Sequence, residues 1–283
     1  MKRLILAALI LYPALGDAQR RVDNWKVNEQ ETVQRTFNVA PGSKLEVDNV
    51  NGYIHVTGAA GAVVQATVQK HVYAESDERL QAAKRDVTLD ISQQGNTVRF
   101  YVNGPFRNKD GGVNGDRRDG YEVDYDFEIQ VPEAIELALK TINGGPIQVK
   151  KTNGKFAING INGGIEMEDV AGSGSANTIN GPVKVTFSRN PDRDSQFKTI
   201  NGAVDVYFPA GLNADVHFKT LNGGVYTDFQ TTPLPGSQAL GESKNGRFTY
   251  HSDRSGSVRI GGGGPKLTFD TLNGPIRLHS KTL

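Results

Sequence analysis

At 283 residues the chain has room for one or two domains, and 37% hydrophobic content can build a core, which excludes a disordered polypeptide. Cysteine is absent, so neither a disulfide frame nor a thiolate-held metal staples the fold. A formal net charge of +1 gives no general pull toward nucleic acid, which needs clustered Lys and Arg.

The first residues, MKRLILAALILYPALGDAQ, carry a basic head at Lys2 and Arg3, a short apolar run from Leu4 to Leu11, and a small-residue site at Gly16-Asp17-Ala18. This reads as a secretory signal peptide over 1–18, cut before Gln19. Its removal leaves 30 basic and 30 acidic residues, a formally neutral surface. No later stretch approaches the ~20 apolar residues of a transmembrane helix.

Residues 19–35 are polar and aperiodic and predict a flexible N-terminal arm. A single domain is expected over 36–283, with an N-terminal β region at 36–132. Within it, LEVDNVNGYIHV and VVQATVQKHVYA alternate apolar and polar residues, which predicts strands. Helical text covers 75–85: Ser76 can cap it, Asp77 and Glu78 suit the first turn, and Leu80 and Ala83 follow at helical spacing. VTLDIS and TVRFYV read as strands joined through Gln94-Gly95-Asn96. A Gly-rich loop over 104–120 precedes the alternating strand YEVDYDFEIQV.

From about 133 one phrase dominates. FKTINGAVDVYF at 197–208 returns as FKTLNGGVYTDF at 218–229, and Asn-Gly recurs at Asn51, Asn143, Asn162, Asn180, Asn201, Asn222, Asn245 and Asn273. From Asn143 to Asn222 the spacings are 19, 18, 21 and 21 residues. Positions three and five after most of these asparagines are apolar, as in Ile165 and Met167, Val183 and Val185, Val204 and Val206, and Ile276 and Leu278. A period of two with one apolar face means half-buried strands.

Asn-Gly between strands fits either a meander of hairpins or a β-solenoid in which it marks a corner. A hairpin turn ending on Pro182 or Pro275 would lack the N–H that closes it, which favours the solenoid. A half-period signal at Asn153-Gly154, followed by Phe156 and Ile158, suggests two strands per coil. The expectation is therefore an all-β fold, a β-solenoid (β-helix-like) of ~20-residue Asn-Gly repeats over 133–283. Stacked ~4.8 Å apart, Asn143, Asn162, Asn180, Asn201, Asn222, Asn245 and Asn273 would form a structural ladder. Thr141, Thr178, Thr199, Thr220 and Thr271, each two residues before an Asn, would run as a second ladder beside it.

These repeats of the form N-G-x-[IV]-x-[VLM], the Gly160-Ile161-Asn162 triplet, the signal peptide and the short early helix together resemble a bacterial exported domain family of unknown function. It is labelled "putative adhesin" and is similar to the head-GIN adhesin domains. The resemblance spans roughly 36–283 and implies a β-helix-like fold in a periplasmic, cell-surface or extracellular setting. It brings no catalytic motif.

Chemistry is thin. Position four of the repeats reads Glu166, Lys184, Asp205, Tyr226, Thr249 and Arg277, which alternates acid and base and forms no acidic cluster. Glu166, Glu168 and Asp169 are the best metal candidates, but a solvated face accounts for them as well. Asp110, Asp116 and Asp119 depart from Ca²⁺-binding Gly-Asp repeats, with Arg117 and Arg118 intruding. The five histidines show no metal spacing, and Gly261–Gly264 lacks a phosphate-binding signature and reads as a turn.

No catalytic, cofactor or metal residue is therefore assigned, and no cofactor is expected. Tyr207 and Tyr226, read as outward on adjacent coils, are the candidate contact surface. The leading expectation is a non-enzymatic exported protein, an adhesin or an envelope binding or structural protein that contacts envelope glycans or surface proteins. The alternatives are a polysaccharide-processing, lyase-like enzyme and a periplasmic envelope-sensing module.

Overall fold

In the computed structural model the described residues are 25–108, 113, 120–235, 241–244, 247–250 and 255–281. The signal peptide at 1–18, most of the 104–120 loop and the Asn245-Gly246 pair lie outside them. The described residues form 23 strands and one helix, in two mixed sheets of twelve and eleven strands.

The N-terminal elements are β1 (Val27–Asn38), β2 (Lys44–Asp48), β3 (Ile54–Ala59), β4 (Val63–Ala74), α1 (Asp77–Asp86), β5 (Thr88–Gln94), β6 (Thr97–Asn103) and β7 (Tyr121–Pro132). The expected flexible arm is corrected here. Residues 27–35 belong to β1, which pairs antiparallel with β4 along its full length, from Val27 opposite Ala74 to Asn38 opposite Val63. Its side chains alternate between half-buried and exposed, so only one face is apolar, and weakly so. That left little periodic signal to read.

Helix α1 starts where its cap predicts: the Arg79 N–H donates to Ser76 Oγ at 3.3 Å, and Leu80 and Ala83 are buried. Lys84 at its C-terminal end reaches Glu29 and Glu31 on β1, which docks the helix on the end of the twelve-stranded sheet. β5 and β6 form the expected hairpin, with Gly95 at φ +56° in a two-residue turn.

The remaining strands are β8 (Glu136–Lys140), β9 (Ile147–Lys150), β10 (Phe156–Asn159), β11 (Ile165–Val170), β12 (Gly174–Asn177), β13 (Val183–Phe187), β14 (Ser195–Lys198), β15 (Val204–Pro209), β16 (Ala214–Asn222), β17 (Val225–Thr227), β18 (Thr231–Pro233), β19 (Gly241–Lys244), β20 (Arg247–Tyr250), β21 (Ser255–Ile260), β22 (Lys266–Asn273) and β23 (Ile276–Lys281). The Asn-Gly pairs that begin at Asn51, Asn143, Asn162, Asn180, Asn201, Asn222 and Asn273 do not close hairpins: each joins a strand of the eleven-stranded sheet to the next strand of the twelve-stranded sheet. β19 and β20, on either side of 245–246, instead pair antiparallel within one sheet, with Lys244 opposite Arg247.

Seven such pairs of strands stack in the same order in both sheets. The twelve-stranded sheet runs β3-β9-β11-β13-β15-β23-β17 and the eleven-stranded sheet β2-β8-β10-β12-β14-β22-β16, all through parallel pairs. The stack reaches back to Asn51, so it is not confined to 133–283. Further strands cover both ends: at one, β7 and β6 pair parallel with β3 and β2 and carry β4, β1 and β5 in antiparallel pairs, and at the other β18 to β21 add antiparallel strands. Edges that would otherwise invite further pairing are thereby covered by strands of the same chain.

Inward side chains of the two sheets make one buried cluster from Val39 to Leu278. Its phenylalanines lie against one another: Phe187 on Phe208 at 5.3 Å, Phe197 on Phe269 at 5.4 Å, and Phe187 edge-on to Phe197 at 6.1 Å.

The spatial order departs from sequence order at one place. The repeat at Asn222 does not sit on the repeat at Asn201, because β22 and β23 lie between them. Charge favours this order. Lys198, Asp270 and Lys219 stand side by side in register, as do Asp205, Arg277 and Tyr226. Stacking β16 directly on β14 would set Lys198 against Lys219, and like charges opposite each other in a sheet are destabilising.

Candidate functional site

The corner at each Asn-Gly pair is built by three residues. The asparagine side chains hand a hydrogen bond along the stack: Asn222 donates to Asn273 (2.7 Å), Asn273 to Asn201 (2.7 Å), Asn201 to Asn180 (2.8 Å), Asn180 to Asn162 (2.8 Å), Asn162 to Asn143 (2.7 Å) and Asn143 to Asn51 (3.1 Å). Between the two ends of the row each amide donates from Nδ2 and accepts at Oδ1, which uses both ends of the side chain. The corner glycine N–H groups donate the opposite way, Gly181 to the Asn201 carbonyl and Gly202 to the Asn273 carbonyl, each at 3.0 Å, while the Asn201 N–H donates back to the Ile179 carbonyl at 2.8 Å.

The threonines two residues earlier do not ladder with one another, as the sequence suggested. Each is buried and donates its hydroxyl to the corner glycine carbonyl of the neighbouring coil: Thr178 to Gly163 (2.7 Å), Thr199 to Gly181 (2.8 Å), Thr271 to Gly202 (3.0 Å), Thr220 to Gly274 (3.1 Å) and Thr141 to Gly52 (3.1 Å). A buried hydroxyl beside a buried carbonyl satisfies both by pairing across coils rather than along the threonine row. The glycine is required by space. A Cβ at Gly202 would fall 2.2 Å from the Gly181 carbonyl oxygen, and one at Gly274 2.0 Å from that of Gly202.

Beside this ladder the residue before three of the asparagines leaves an aliphatic side chain exposed. Ile179, Leu272 and Leu221 are 38%, 42% and 41% exposed, on an edge otherwise made of amides.

On the outward face of the twelve-stranded sheet, the column four residues after the asparagines reads Glu166, Lys184, Asp205, Arg277 and Tyr226 in spatial order. Lys184 holds Glu166 at 3.0 Å and Arg277 holds Asp205 at 3.0 Å. The hydrogen bond it donates to Glu166 raises the Lys184 ammonium above its ordinary value. Glu168 pairs with Lys150 at 2.9 Å, whose hydrogen bond and charge pull its carboxyl below the usual range. Asp169 sits at φ +55°, where the register of β11 shifts, and leaves the row of the other two acids. The Glu166, Glu168 and Asp169 trio thus forms ion pairs and a bulge. Among the described residues, no three His, Asp or Glu side chains are placed to hold a metal ion.

Tyr207 and Tyr226 share this face but are not on adjacent strands, since β23 separates them. Tyr207 stacks on His279 at 4.3 Å, and His279 lies 3.5 Å from Asp228 and 3.7 Å from Asp205. Tyr226 folds back over Gly224, where a Cβ would come 2.5 Å from its hydroxyl.

A second cluster on the same face was invisible in the sequence. Tyr53, just before β3, stacks at 4.2 Å on His55 of β3, and His55 Nδ1 lies 2.8 Å from Glu128 on β7. Asp126 Oδ1 accepts the Tyr53 N–H at 3.0 Å, while its other oxygen is 3.5 Å from His71 Nε2 on β4. Burial pushes the Asp126 carboxyl up, against the Tyr53 N–H and the two imidazoles, and burial with nearby Asp126 and Glu128 raises the Tyr53 phenol. Only the pairing of β7 with both β3 and β4 brings these residues together.

The outer face of the eleven-stranded sheet carries a hollow of about 200 Å³ lined by Glu46, Asp48, Arg99 and Lys140, and a shallow groove of about 310 Å³ runs past Glu136, Lys155, Arg189 and Arg193. Asp48 of the first pairs at 3.0 Å with Arg107, whose side chain is almost fully buried and lies over the Tyr101 ring. No helix among the described residues is long and apolar enough to cross a membrane.

No family model matches this chain, and no curated protein does. Solved structures similar to it include a "putative cell adhesion protein" from Clostridium sporogenes, at 12% identity over 89% of this chain and 100% of that one, with a TM-score of 0.36. A "putative lipid binding protein" from Parabacteroides distasonis is similar at 11% identity over 89% and 97%, with a TM-score of 0.32. A "putative adhesin" from Bacteroides fragilis is similar at 10% identity over 89% and 97%, with a TM-score of 0.24. Adhesin is also the label of the family that the Asn-Gly repeats resemble.

Proposed function

We propose that this chain is an exported, non-enzymatic β-solenoid of two-stranded coils that serves as a rigid scaffold, an adhesin or an envelope-binding protein. The observation that carries the reading is the unbroken amide ladder from Asn222 to Asn51, which commits side chains and main chain alike to holding coil on coil. Acids on the outward face are neutralised in pairs by Lys150, Lys184 and Arg277, which leaves them poorly suited to general acid or base work. Such a face suits contact rather than turnover. Tyr207 and Tyr226 supply amphipathic rings on it, of the kind that pack against sugars or protein surfaces.

Export rests on the signal-peptide text at 1–18. A glycan array and a pull-down from envelope fractions, both with the chain from Gln19 onward, test the reading. Retention of a glycan or surface protein that weakens in Tyr207→Ala and Tyr226→Ala supports it. Clear turnover of an envelope polysaccharide, abolished by Glu166→Ala, replaces it with the lyase reading.

A further inference from the structure

Three stretches of this chain have one shape. Residues 197–206, 218–227 and 269–278 share Phe, Thr, Ile or Leu, Asn and Gly at identical spacing, and each makes one corner of the stack. The third, on β22 and β23, fills a slot between the other two. There it buries Leu267, Phe269, Ile276 and Leu278, and it pairs in parallel on both sides in both sheets.

We propose that this slot is an interaction site for a second copy of the chain, which inserts its own residues 266–281 in reciprocal exchange. Four observations carry the idea. First, every contact in the slot is made to the arch of β22 and β23, so an arch from another copy makes the same contacts. Second, the arch is tethered through Gly261–Gly264, which rounds the start of β16 with φ of +58°, +77° and +159° at Gly261, Gly263 and Gly264. A run of glycines in that region of backbone space can also adopt an extended path between copies.

Third, the empty slot does not heal by closing. Direct contact of β14 with β16 opposes Lys198 and Lys219 and takes Arg277 from Asp205. Fourth, β16 and β17 precede the arch in the chain, so four strand edges stand unpaired until it arrives. Unpaired edges are where exchange between copies begins.

The test uses the absence of native cysteine. Gln196 and Thr268 are registered neighbours on β14 and β22, with side chains outside the core. The full chain is prepared as Gln196→Cys, as Thr268→Cys and as the double variant, then unfolded, refolded and oxidised. The double variant at high dilution forms a disulfide within one chain, which checks the register. When the two single variants are refolded as a mixture, a disulfide-linked dimer joins one of each. Its ratio to monomer rises about tenfold for each tenfold rise in concentration while monomer predominates, as mass action requires. Each single variant refolded alone gives none. A mixture that stays monomeric at every concentration overturns the proposal. So does cross-linking of either variant alone to the same extent, or a double variant that forms no internal disulfide.

Discussion

Asp270 Oδ2 lies 3.5 Å from Lys198 Nζ, and on its other side Asp270 is in register with Lys219. A carboxylate paired with one lysine and in register with a second favours β22 between β14 and β16. Asp270→Lys puts three like charges in a row, and the loss of an exposed pair plus the new repulsion is expected to cost roughly 1 kcal/mol. For a chain of this size that is a fall in Tm of about 2–4 °C. The loss shrinks in high salt, because exposed charges are screened. Thermal melts at low and high ionic strength check both parts, and an unchanged Tm at low salt removes charge as the reason for the spatial order.

The corner glycines give a sharper test. At Gly274 a methyl group would sit 2.0 Å from the Gly202 carbonyl oxygen, and backbone of a paired coil cannot retreat without breaking its hydrogen bonds. Gly274→Ala is expected to cost about 3 kcal/mol or more, at the upper end of overpacking. Gly211 is the control: its φ is +77° but nothing lies within 4 Å, so Gly211→Ala pays only the left-handed backbone strain of about 1–2 kcal/mol. Denaturant titrations of the two variants should separate clearly. Equal losses would mean that φ, and not the neighbouring coil, requires glycine at the corners.

Within the ladder, position decides cost. Asn180 both donates to Asn162 and accepts from Asn201, whereas Asn222 donates to Asn273 alone among the described residues. Asn180→Ala therefore removes two bonds and is expected to cost roughly 1–3 kcal/mol, and Asn222→Ala about half as much. Chemical denaturation of the pair measures the ratio. Asn180→Asp should fall with the alanine variant at neutral pH, since an ionised carboxylate cannot donate to Asn162.

How much of this was legible follows from where the signals lie. The corners were, because Asn-Gly with a period of two on one side repeats the same local chemistry, and Pro182 and Pro275 argue against hairpins. The partner of each threonine was not, since a hydroxyl can satisfy a neighbouring hydroxyl or a neighbouring carbonyl and only the coil offset decides. The charges of Lys198, Asp270 and Lys219 favour the place of 266–281, but that signal is read only if stacking out of sequence order is considered. β1 lacked a strong apolar alternation because it is an edge strand with one half-covered face. The cluster of Tyr53, His55, His71 and Asp126 left no local trace, as β3, β4 and β7 each contribute to it.

That cluster sets a pH dependence with a definite sign. Burial raises the Asp126 carboxyl above its ordinary value, so the folded protein holds this proton more tightly than the unfolded chain does. Stability contributed at this site therefore falls as pH rises from the ordinary carboxylate range through the folded value, and the full penalty is present at neutral pH. Asp126→Asn keeps an oxygen for the Tyr53 N–H and removes the buried charge. The variant should be at least as stable as the parent at pH 7 and lose that advantage toward pH 4, where the parent carboxyl takes up its proton. A charged His71, 3.5 Å away, would oppose the gain. Denaturant unfolding of both proteins across this range reads the difference directly. A variant weaker than the parent at pH 8, by as much as or more than at pH 5, would mean that the carboxylate is held by its partners and not penalised by burial.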